Sequence, residues 1–220
     1  MLLVKPRFKI NYFNASEMLC AIEMAGRTCY KSFDQITSES AVRFVKKLIE
    51  RGHESVIEHE KISVRILCDR GVMAELTRHR LASFSVESTR YCDYQNHVAF
   101  VIPPWCNIEP GEFGTEPQDE PDACLAQVTD DPSTYTWLMT MAGAERAYKS
   151  LRQAGWTPEE ARTVLPNSLK TEMVMSANLR EWRHFFKLRT AKAAHPQMRE
   201  ITIPMLQEFK LKLPEVFGDL

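Results

Sequence analysis

The chain has 220 residues and a mass of 25.4 kDa, with a formal net charge of −1, 44% hydrophobic residues and 26% charged residues. This composition is typical of a globular protein of one domain, and it argues against a dedicated nucleic-acid-coating protein, which carries a large basic excess. The chain has no run of about 18 apolar residues and no signal-peptide pattern, so we expect a cytoplasmic protein. Its six cysteines lack CxxC spacing, which predicts reduced, mostly buried thiols and no metal site.

The first half of the chain mixes the two kinds of hydrophobic periodicity. In chain order the pattern predicts a strand over 2–13 interrupted at Pro6, a helix over 15–30, a helix that ends at Gly52, a strand over 62–66 and a helix over 71–80. Thr37 or Ser38 is the expected N-cap of the second helix, because hydroxyl side chains accept hydrogen bonds from the first free N–H groups of a helix.

The second half continues this mixture. The pattern predicts a strand over 97–102, a helix over 133–154, a short helix over 158–162, a strand over 171–176, a helix over 178–189, and a helix over 196–211 with a local break at Pro204. Residues 103–132 hold six of the twelve prolines, eight acidic residues and no Lys or Arg, which predicts a solvated loop or insertion outside the core.

These elements predict an α/β fold of the α+β type, in which helices pack on a mixed sheet, in a single domain over 1–220. The glycines are scattered, and neither GxGxxG nor GxxxxGK[ST] occurs. A Rossmann fold and a P-loop phosphate site are therefore not expected.

The sharpest local feature is Arg78-His79-Arg80 and the hydroxyl-rich stretch that follows it. Residues 78–90 contain three Arg, one His, three Ser and one Thr. Planar guanidinium groups and hydroxyls are suited to phosphate oxygens, whereas cations at a helix C-terminus also interact with its dipole. The dipole explanation does not account for Arg90, so phosphate or nucleotide binding and a helix-end role both stay open.

The second feature is the predicted helix over 178–189. Its apolar face holds four residues: Leu179, Trp182, Phe185 and Phe186. Arg180, Arg183 and Lys187 lie largely opposite, whereas Arg189 returns to within about 20° of Asn178 and so falls in the apolar sector. Arg189 then either reaches water from a frayed helix end or meets an anionic or carbonyl-bearing ligand. Arg180 and His184 form a separate polar face, which suggests a site shared between subunits.

These residues resemble the flavin-dependent thymidylate synthase family. The family signature is Arg-His-Arg followed, after seven residues, by Ser, and here it reads RHRLASFSVESTRY with Ser88 in place. The resemblance extends to GHESVIEH at 52–59, ARTVLP at 161–166 and NLREWRHFFKLR at 178–189. It covers the chain apart from 103–132.

The resemblance implies an enzyme that converts dUMP to dTMP. Such enzymes take the methylene group of 5,10-methylenetetrahydrofolate and reduce it with hydride that NADPH delivers through FAD, which is held without a Rossmann motif. The family is homotetrameric, with active sites shared between subunits. No nucleic-acid or membrane partner is implied.

The resemblance also implies three sets of site residues and no metal ligands. The catalytic set is Arg189, Ser88 and His53. The cofactor-binding set is Ser55, Arg78, His79, Arg80, Glu87, Asn178, Arg180 and His184. The substrate-binding set is Glu75, Arg78, Ser85, Glu87, Ser88, Thr89, Arg90, Arg162 and Arg189. Arg90 and Arg162 suit the dUMP phosphate and Arg189 the uracil edge, while Ser88 is a positioning hydroxyl and Cys92 has no nucleophilic role.

Some positions depart from the family pattern. Glu75 stands where Gln is common, Glu87 lies one position later than in many relatives, and His184 stands where Asn is also found. The role of His195 stays open. Two alternatives also remain: a non-catalytic nucleotide- or RNA-binding module, and a family member that binds FAD and dUMP but has lost methyl transfer.

Overall fold

The computed structural model of the chain describes residues 1–114 and 125–220, and the chain divides into two compact units. Unit 1 comprises Met1–Arg7, Ile66–Leu76 and Ser85–Met173, and unit 2 comprises Phe8–Arg65, Thr77–Phe84 and Val174–Leu220. Strands and helices alternate without a regular βαβ repeat, which confirms the predicted mixed α+β class. No helix within the described residues is both long enough and apolar enough to cross a bilayer.

The described elements follow the predicted order closely. The strands are β1 (Leu2–Val4), β2 (Arg7–Ile10), β3 (Lys61–Asp69), β4 (Ala82–Val86), β5 (Ala99–Val101), β6 (Gly111–Glu112) and β7 (Lys170–Asn178). The helices are α1 (Ala15–Thr28), α2 (Ser40–Glu50), α3 (Arg70–Leu76), α4 (Pro132–Gln153), α5 (Pro158–Ala161), α6 (Leu179–Arg189), α7 (Pro196–Lys212) and α8 (Pro214–Phe217). Short 3₁₀ helices span Phe33–Gln35, Glu54–His59 and Arg162–Val164. Strands β4 and β6 were not predicted.

The strands form two sheets. In the first, of order β5-β1-β6, strand β1 pairs parallel with β5 and antiparallel with β6. The second has the order β2-β3-β7-β4. Alternate residues of β7 are buried, as expected for a strand with unequal faces. Side chains of β3 and β7 also meet, since the hydroxyl oxygens of Ser63 and Ser176 are 2.6 Å apart.

The core of unit 1 corrects one prediction. Cys106 and Ile108 are buried in it, as is Leu125, and strand β6 pairs with β1, so the prediction that 103–132 lies wholly outside the core is wrong. The apolar side chains between the prolines are stabilised when they leave water, and the acidic residues Glu109 and Glu112 beside them stay exposed. The rest of that prediction, over 115–124, lies outside the described residues, as does Cys124.

The cysteine prediction is only partly right. Cys68 and Cys106 are buried, but Cys20 and Cys29 are exposed, so "mostly buried" does not hold for these two thiols. Burial, together with the neighbouring Asp69 carboxylate, raises the pKa of Cys68 to about 12. The Cys68 side chain therefore stays a protonated thiol at neutral pH.

The core of unit 2 is an aromatic cluster. Its rings are those of Trp182, Phe185, Phe186, Phe209 and Phe217, with centroids of neighbouring rings 5.0–6.0 Å apart. These distances are typical of offset and edge-to-face aromatic pairs. Since three of the rings come from α6, its predicted apolar face is confirmed.

Two local predictions in unit 2 are wrong. Neither Thr37 nor Ser38 caps α2, because Glu39 precedes the helix and Ser40 turns its hydroxyl to the buried Glu23 carboxylate, 2.7 Å away. Pro204 does not break α7, which runs on to Lys212. Pro204 lies on the exposed side of the helix. A proline has no N–H to donate to the carbonyl one turn earlier, but on an exposed helix face water can hydrogen-bond that carbonyl instead.

Candidate functional site

Helix α6 is held at its start by two specific hydrogen bonds. The Asn178 side-chain oxygen accepts from the Glu181 backbone N–H at 2.8 Å, the usual N-cap arrangement. The Trp182 indole N–H donates to the Ile62 carbonyl oxygen at 3.0 Å. With its apolar face buried, the helix presents Arg180 and His184 to solvent, as the sequence predicted.

His79 lies at the centre of a three-residue array in unit 2, in which His79 and Glu181 are buried and Arg189 is half-buried. Helix α3 ends at Leu76 rather than at residue 80, so His79 lies in the turn that follows the helix. The prediction that Arg78-His79-Arg80 ends a helix is therefore wrong. Its Nδ1 is 3.0 Å from Glu181 Oε1. Arg189 Nε donates to His79 Nε2 at 2.9 Å. Since Nε2 accepts, Nδ1 carries the proton and donates to Glu181.

The surroundings keep this imidazole neutral. His79 and Glu181 are each only 6% exposed, and burial lowers the pKa of His79 below its ordinary value, although the hydrogen bond to Glu181 opposes that shift. Ligand-type atoms of His79, Glu181 and His184 lie within 4.8 Å of one another. Arg189 occupies one ring nitrogen of His79, and its positive charge would repel a metal cation. The array is therefore better suited to orienting Arg189.

Arg183 lies on the buried side of α6, contrary to the prediction that it is opposite the apolar face. Its side chain is 3% exposed, and it forms ion pairs with Asp219 at 2.6 Å and Glu54 at 2.9 Å. Burial alone lowers the pKa of Arg183, but the two carboxylates outweigh it and raise that pKa. The pairing explains the burial, because an unpaired buried charge is costly. Arg180, by contrast, is 53% exposed and holds Glu58 at 2.5 Å.

A glycine turn presents His53 and Ser55 at the end of α2. The His53 N–H donates to Leu48 O and the Gly52 N–H to Ile49 O, with Gly52 at φ 69°. This is a Schellman motif, whose left-handed position favours glycine. His53 and Ser55 then line a cavity of about 710 Å³ formed by residues of unit 2.

In unit 1, Glu87 is held where β4 ends. Its N–H donates to the Glu172 carbonyl oxygen at 2.8 Å, and its carboxylate accepts from Lys170 at 2.9 Å and from Tyr94 at 2.6 Å. Burial and the Glu87 carboxylate raise the pKa of Tyr94, so Tyr94 remains a hydrogen-bond donor. These contacts fix the backbone just before Ser88.

Two arginines lie next to this turn in unit 1. Arg162 donates to the Thr89 hydroxyl at 2.9 Å, and Arg90 forms an exposed ion pair with Glu159 at 3.0 Å. The Ser88 hydroxyl accepts from the Arg90 N–H at 3.3 Å. Guanidinium groups and hydroxyls thus lie side by side, an arrangement that can bind a phosphate.

The structure distributes the predicted site residues over both units. Seven of them belong to unit 1: Glu75, Ser85, Glu87, Ser88, Thr89, Arg90 and Arg162. The remaining nine belong to unit 2: His53, Ser55, Arg78, His79, Arg80, Asn178, Arg180, His184 and Arg189. Sequence reasoning did not find Glu181. The available signal was its place about 40° from Phe185 on the helical wheel, at the edge of the apolar face.

Comparisons with known proteins agree with the motif blocks. The family model described as thymidylate synthase complementing protein matches residues 10–215. A protein of Mycobacterium avium (strain 104) named flavin-dependent thymidylate synthase is 34% identical over 210 residues, which are 90% of this chain and 78% of that protein. The chain belongs to the flavin-dependent thymidylate synthase family.

Other members and solved structures are also similar. A probable flavin-dependent thymidylate synthase of Mycobacterium phage L5 is 32% identical over 216 residues, covering 94% of this chain and 82% of that protein. The UMP/dUMP methylase PolB of Streptomyces cacaoi, bound with 5-Br dUMP, has a TM-score of 0.74 at 24% identity, covering 99% of this chain and 96% of that one. Thymidylate synthase X of Helicobacter pylori, with FAD and dUMP, has a TM-score of 0.72 at 22% identity, covering 97% and 98%. At these identities the structures establish the family fold.

Proposed function

We propose that this family member catalyses the reductive methylation of dUMP to dTMP, with 5,10-methylenetetrahydrofolate as carbon donor, FAD as the flavin and NADPH as the source of hydride. The observation that carries the proposal is the 2.9 Å hydrogen bond between Arg189 and His79. It brings together, within unit 2, two of the four motif blocks of the family signature. Membership of a family whose relatives are named flavin-dependent thymidylate synthase supports the same activity.

The residues proposed to contact FAD have suitable chemistry. Arg78 and Arg80 are exposed, and neither has an ion pair or hydrogen bond to the residues that the structure describes. Free guanidinium groups fit the phosphates of a dinucleotide. The other proposed contacts are Ser55, His79, Glu87, Asn178, Arg180 and His184. When bound, FAD supplies the hydride, while these side chains bind and orient it.

The dUMP phosphate is proposed to bind Arg90 and Arg162. The Arg90–Glu159 pair is exposed, and such pairs contribute only about 0.2–1 kcal/mol, so a phosphate can displace Glu159 at low cost. The Thr89 hydroxyl already holds the Arg162 guanidinium. The other proposed contacts are Glu75, Arg78, Ser85, Glu87 and Ser88, with Ser88 as a positioning hydroxyl.

Arg189 is proposed to act on the uracil ring. A fixed cation at the uracil edge stabilises the negative charge that develops as C5 becomes nucleophilic. His79 holds Arg189 Nε, and Glu181 holds His79, so the guanidinium is oriented before substrate binds. His53, exposed beside the cavity of unit 2, completes the proposed catalytic set.

We also propose a homotetramer in the cytoplasm. Leu81 and Leu211 are large apolar side chains that are 77% and 83% exposed, which supports burial against other subunits. The exposed free thiols of Cys20 and Cys29 fit a reducing compartment. Light scattering coupled to size exclusion measures the mass directly, and a stable monomer would contradict the tetramer.

Tritium release from [5-³H]dUMP tests the activity. Flavin-loaded protein is incubated with NADPH and methylenetetrahydrofolate, and we expect release together with dTMP. Arg189→Ala should lower the rate at least about 100-fold, the order seen when one group that stabilises developing charge is removed. Lys192→Ala, an exposed cation just past α6, is the matched control and should retain the rate.

Two results would contradict the proposal. Tritium release without dTMP formation, at a rate that Arg189→Ala does not change, would indicate a family member that has lost methyl transfer. Absence of both products and of bound flavin, with salt-sensitive binding to oligonucleotides, would favour the non-catalytic nucleotide- or RNA-binding module.

A further inference from the structure

The cavity of unit 2 is strongly basic. It lies along α2 and the end of α1, and its volume of about 710 Å³ is in the range of small-molecule sites. Its lining contains Arg27, Arg43, Lys47 and Arg51 as well as His53, and no Asp or Glu. In a chain whose net charge is −1, this concentration of one sign points to an anionic ligand.

Three of these cations are available to a ligand. Arg27 is already paired, because Glu23 accepts from it at 2.8 Å and Gln35 at 2.8 Å. The side chains of Arg43, Lys47 and Arg51 are exposed, and none of the three forms a hydrogen bond or ion pair with any residue in 1–114 or 125–220. Like charges four residues apart on a helix repel one another weakly, and an anion beside the row would relieve that repulsion.

The three cations form a row rather than a cluster. They lie four residues apart, Arg43 and Lys47 on α2 and Arg51 at its C-cap in a helical backbone conformation. They therefore share one face of the helix, and each is about 6 Å from the next along the axis. A single phosphate is held best by cations that converge on one point. A row about 12 Å long instead matches an extended chain with a negative charge at each repeat.

We propose that the Arg43–Lys47–Arg51 row binds the α-carboxylates of a γ-linked oligoglutamate tail on the folate co-substrate. Successive α-carbons in an extended γ-glutamyl chain are on the order of 6 Å apart from standard bond lengths, which matches the spacing of the cations. The row runs towards His53 and Ser55 in the same cavity, the positions proposed to lie beside the flavin and folate. This inference rests on the proposed function.

Equilibrium binding and kinetics together test it. Titration calorimetry of the flavin-loaded protein compares oxidised folate bearing one glutamate with oxidised folate bearing five, and steady-state kinetics compares the matching methylenetetrahydrofolates. We expect the pentaglutamate to have a Kd and a KM about tenfold lower at low salt, and the advantage to shrink as salt screens the exposed charges.

In a triple variant that combines Arg43→Gln, Lys47→Gln and Arg51→Gln, the two glutamate forms should have nearly equal Kd values and nearly equal KM values. Lys46→Gln is the matched control, since Lys46 is an exposed cation of α2 that does not line the cavity, and it should keep the tenfold ratio. Because all four side chains are exposed, helical circular dichroism should be the same in both variants.

The outcomes separate this inference from the proposed function. If no folate supports dTMP formation, the function itself fails. If dTMP forms and both glutamate forms bind equally to the wild type, only the tail assignment fails. Inorganic pyrophosphate that competes with the pentaglutamate at equal affinity would also overturn it, in favour of a phosphate site.

Discussion

Removing Glu181 is the most direct test of the buried array around His79. In Glu181→Ala, the His79 Nδ1–H loses its acceptor inside the protein, and Glu181→Gln keeps an acceptor oxygen but loses the charge. Both partners are only 6% exposed, so water cannot replace the 3.0 Å hydrogen bond. Arg189 also loses the negative charge on the far side of the imidazole.

The two substitutions should lower the free energy of unfolding by different amounts. An unsatisfied buried donor costs about 1–3 kcal/mol, and loss of the carboxylate opposite Arg189 adds to it, so we expect Glu181→Ala to lower the free energy of unfolding by about 3 kcal/mol. Glu181→Gln exchanges a charged hydrogen bond for a neutral one and should cost about 1 kcal/mol. Tritium release should fall further in the alanine variant, since Arg189 is then less well oriented.

Urea unfolding at one fixed protein concentration measures these differences, because subunit association contributes to stability. Glu208→Ala is the control. Glu208 forms an exposed ion pair with Lys212, so its removal should change the free energy of unfolding by less than about 0.5 kcal/mol. A loss in Glu181→Ala no larger than that in Glu208→Ala would refute the assigned role of the His79–Glu181 bond.

Three further predictions follow from burial and packing. Because the pKa of His79 is lowered in the folded state, the unfolded state binds more protons near and below pH 6.5. The free energy of unfolding should therefore fall as the pH is lowered from 7.5 to 5.5, by at most about 1.4 kcal/mol per pH unit from this group. A His79→Gln variant whose free energy of unfolding changes with pH as steeply as that of the wild type would contradict it. Gly26→Ala places a Cβ 2.6 Å from an aromatic carbon of α2 and should destabilise the fold by about 1–3 kcal/mol. In Gly143→Ala the new Cβ meets nothing within 4 Å, so this variant should be more stable than the wild type by roughly 0.5–1 kcal/mol. Equal shifts in the melting temperatures of the two variants would refute the packing argument. Iodoacetamide at pH 8 should alkylate Cys20 in the native protein and Cys68 only after unfolding, as mapped by peptide mass spectrometry; rapid native labelling of Cys68 would refute its burial.

Long periodic segments were the easiest part of the fold to predict. The apolar face of α6 and the extents of α1 and α4 follow from 3.6-residue spacing, which is a local property of the chain. The short β6 could not be predicted, because Gly111–Glu112 becomes a strand only by pairing with β1, more than 100 residues away. The same long-range pairing buries Cys106 in a segment whose composition predicts a loop.

The candidate site shows the same division. The motif blocks identified Arg189 and His79 from the sequence, but nothing local indicated that the two side chains would meet. Glu181 and Arg183 were missed as buried charges because a helical wheel gives direction and not the partners that lie there. Asp219, which pairs with Arg183, is 36 residues further along the chain. Buried polar networks depend on such distant pairs, so they become visible only in the folded chain.

The division into two units has a consequence for how this protein can vary. Each unit is assembled from three separate stretches, so the chain passes from one unit to the other five times, after Arg7, Arg65, Leu76, Phe84 and Met173. No single cut in the gene yields either unit whole, and a single crossover between two relatives would join halves of both. A single recombination event can therefore not exchange one unit as a module, because five crossovers at these positions would be needed.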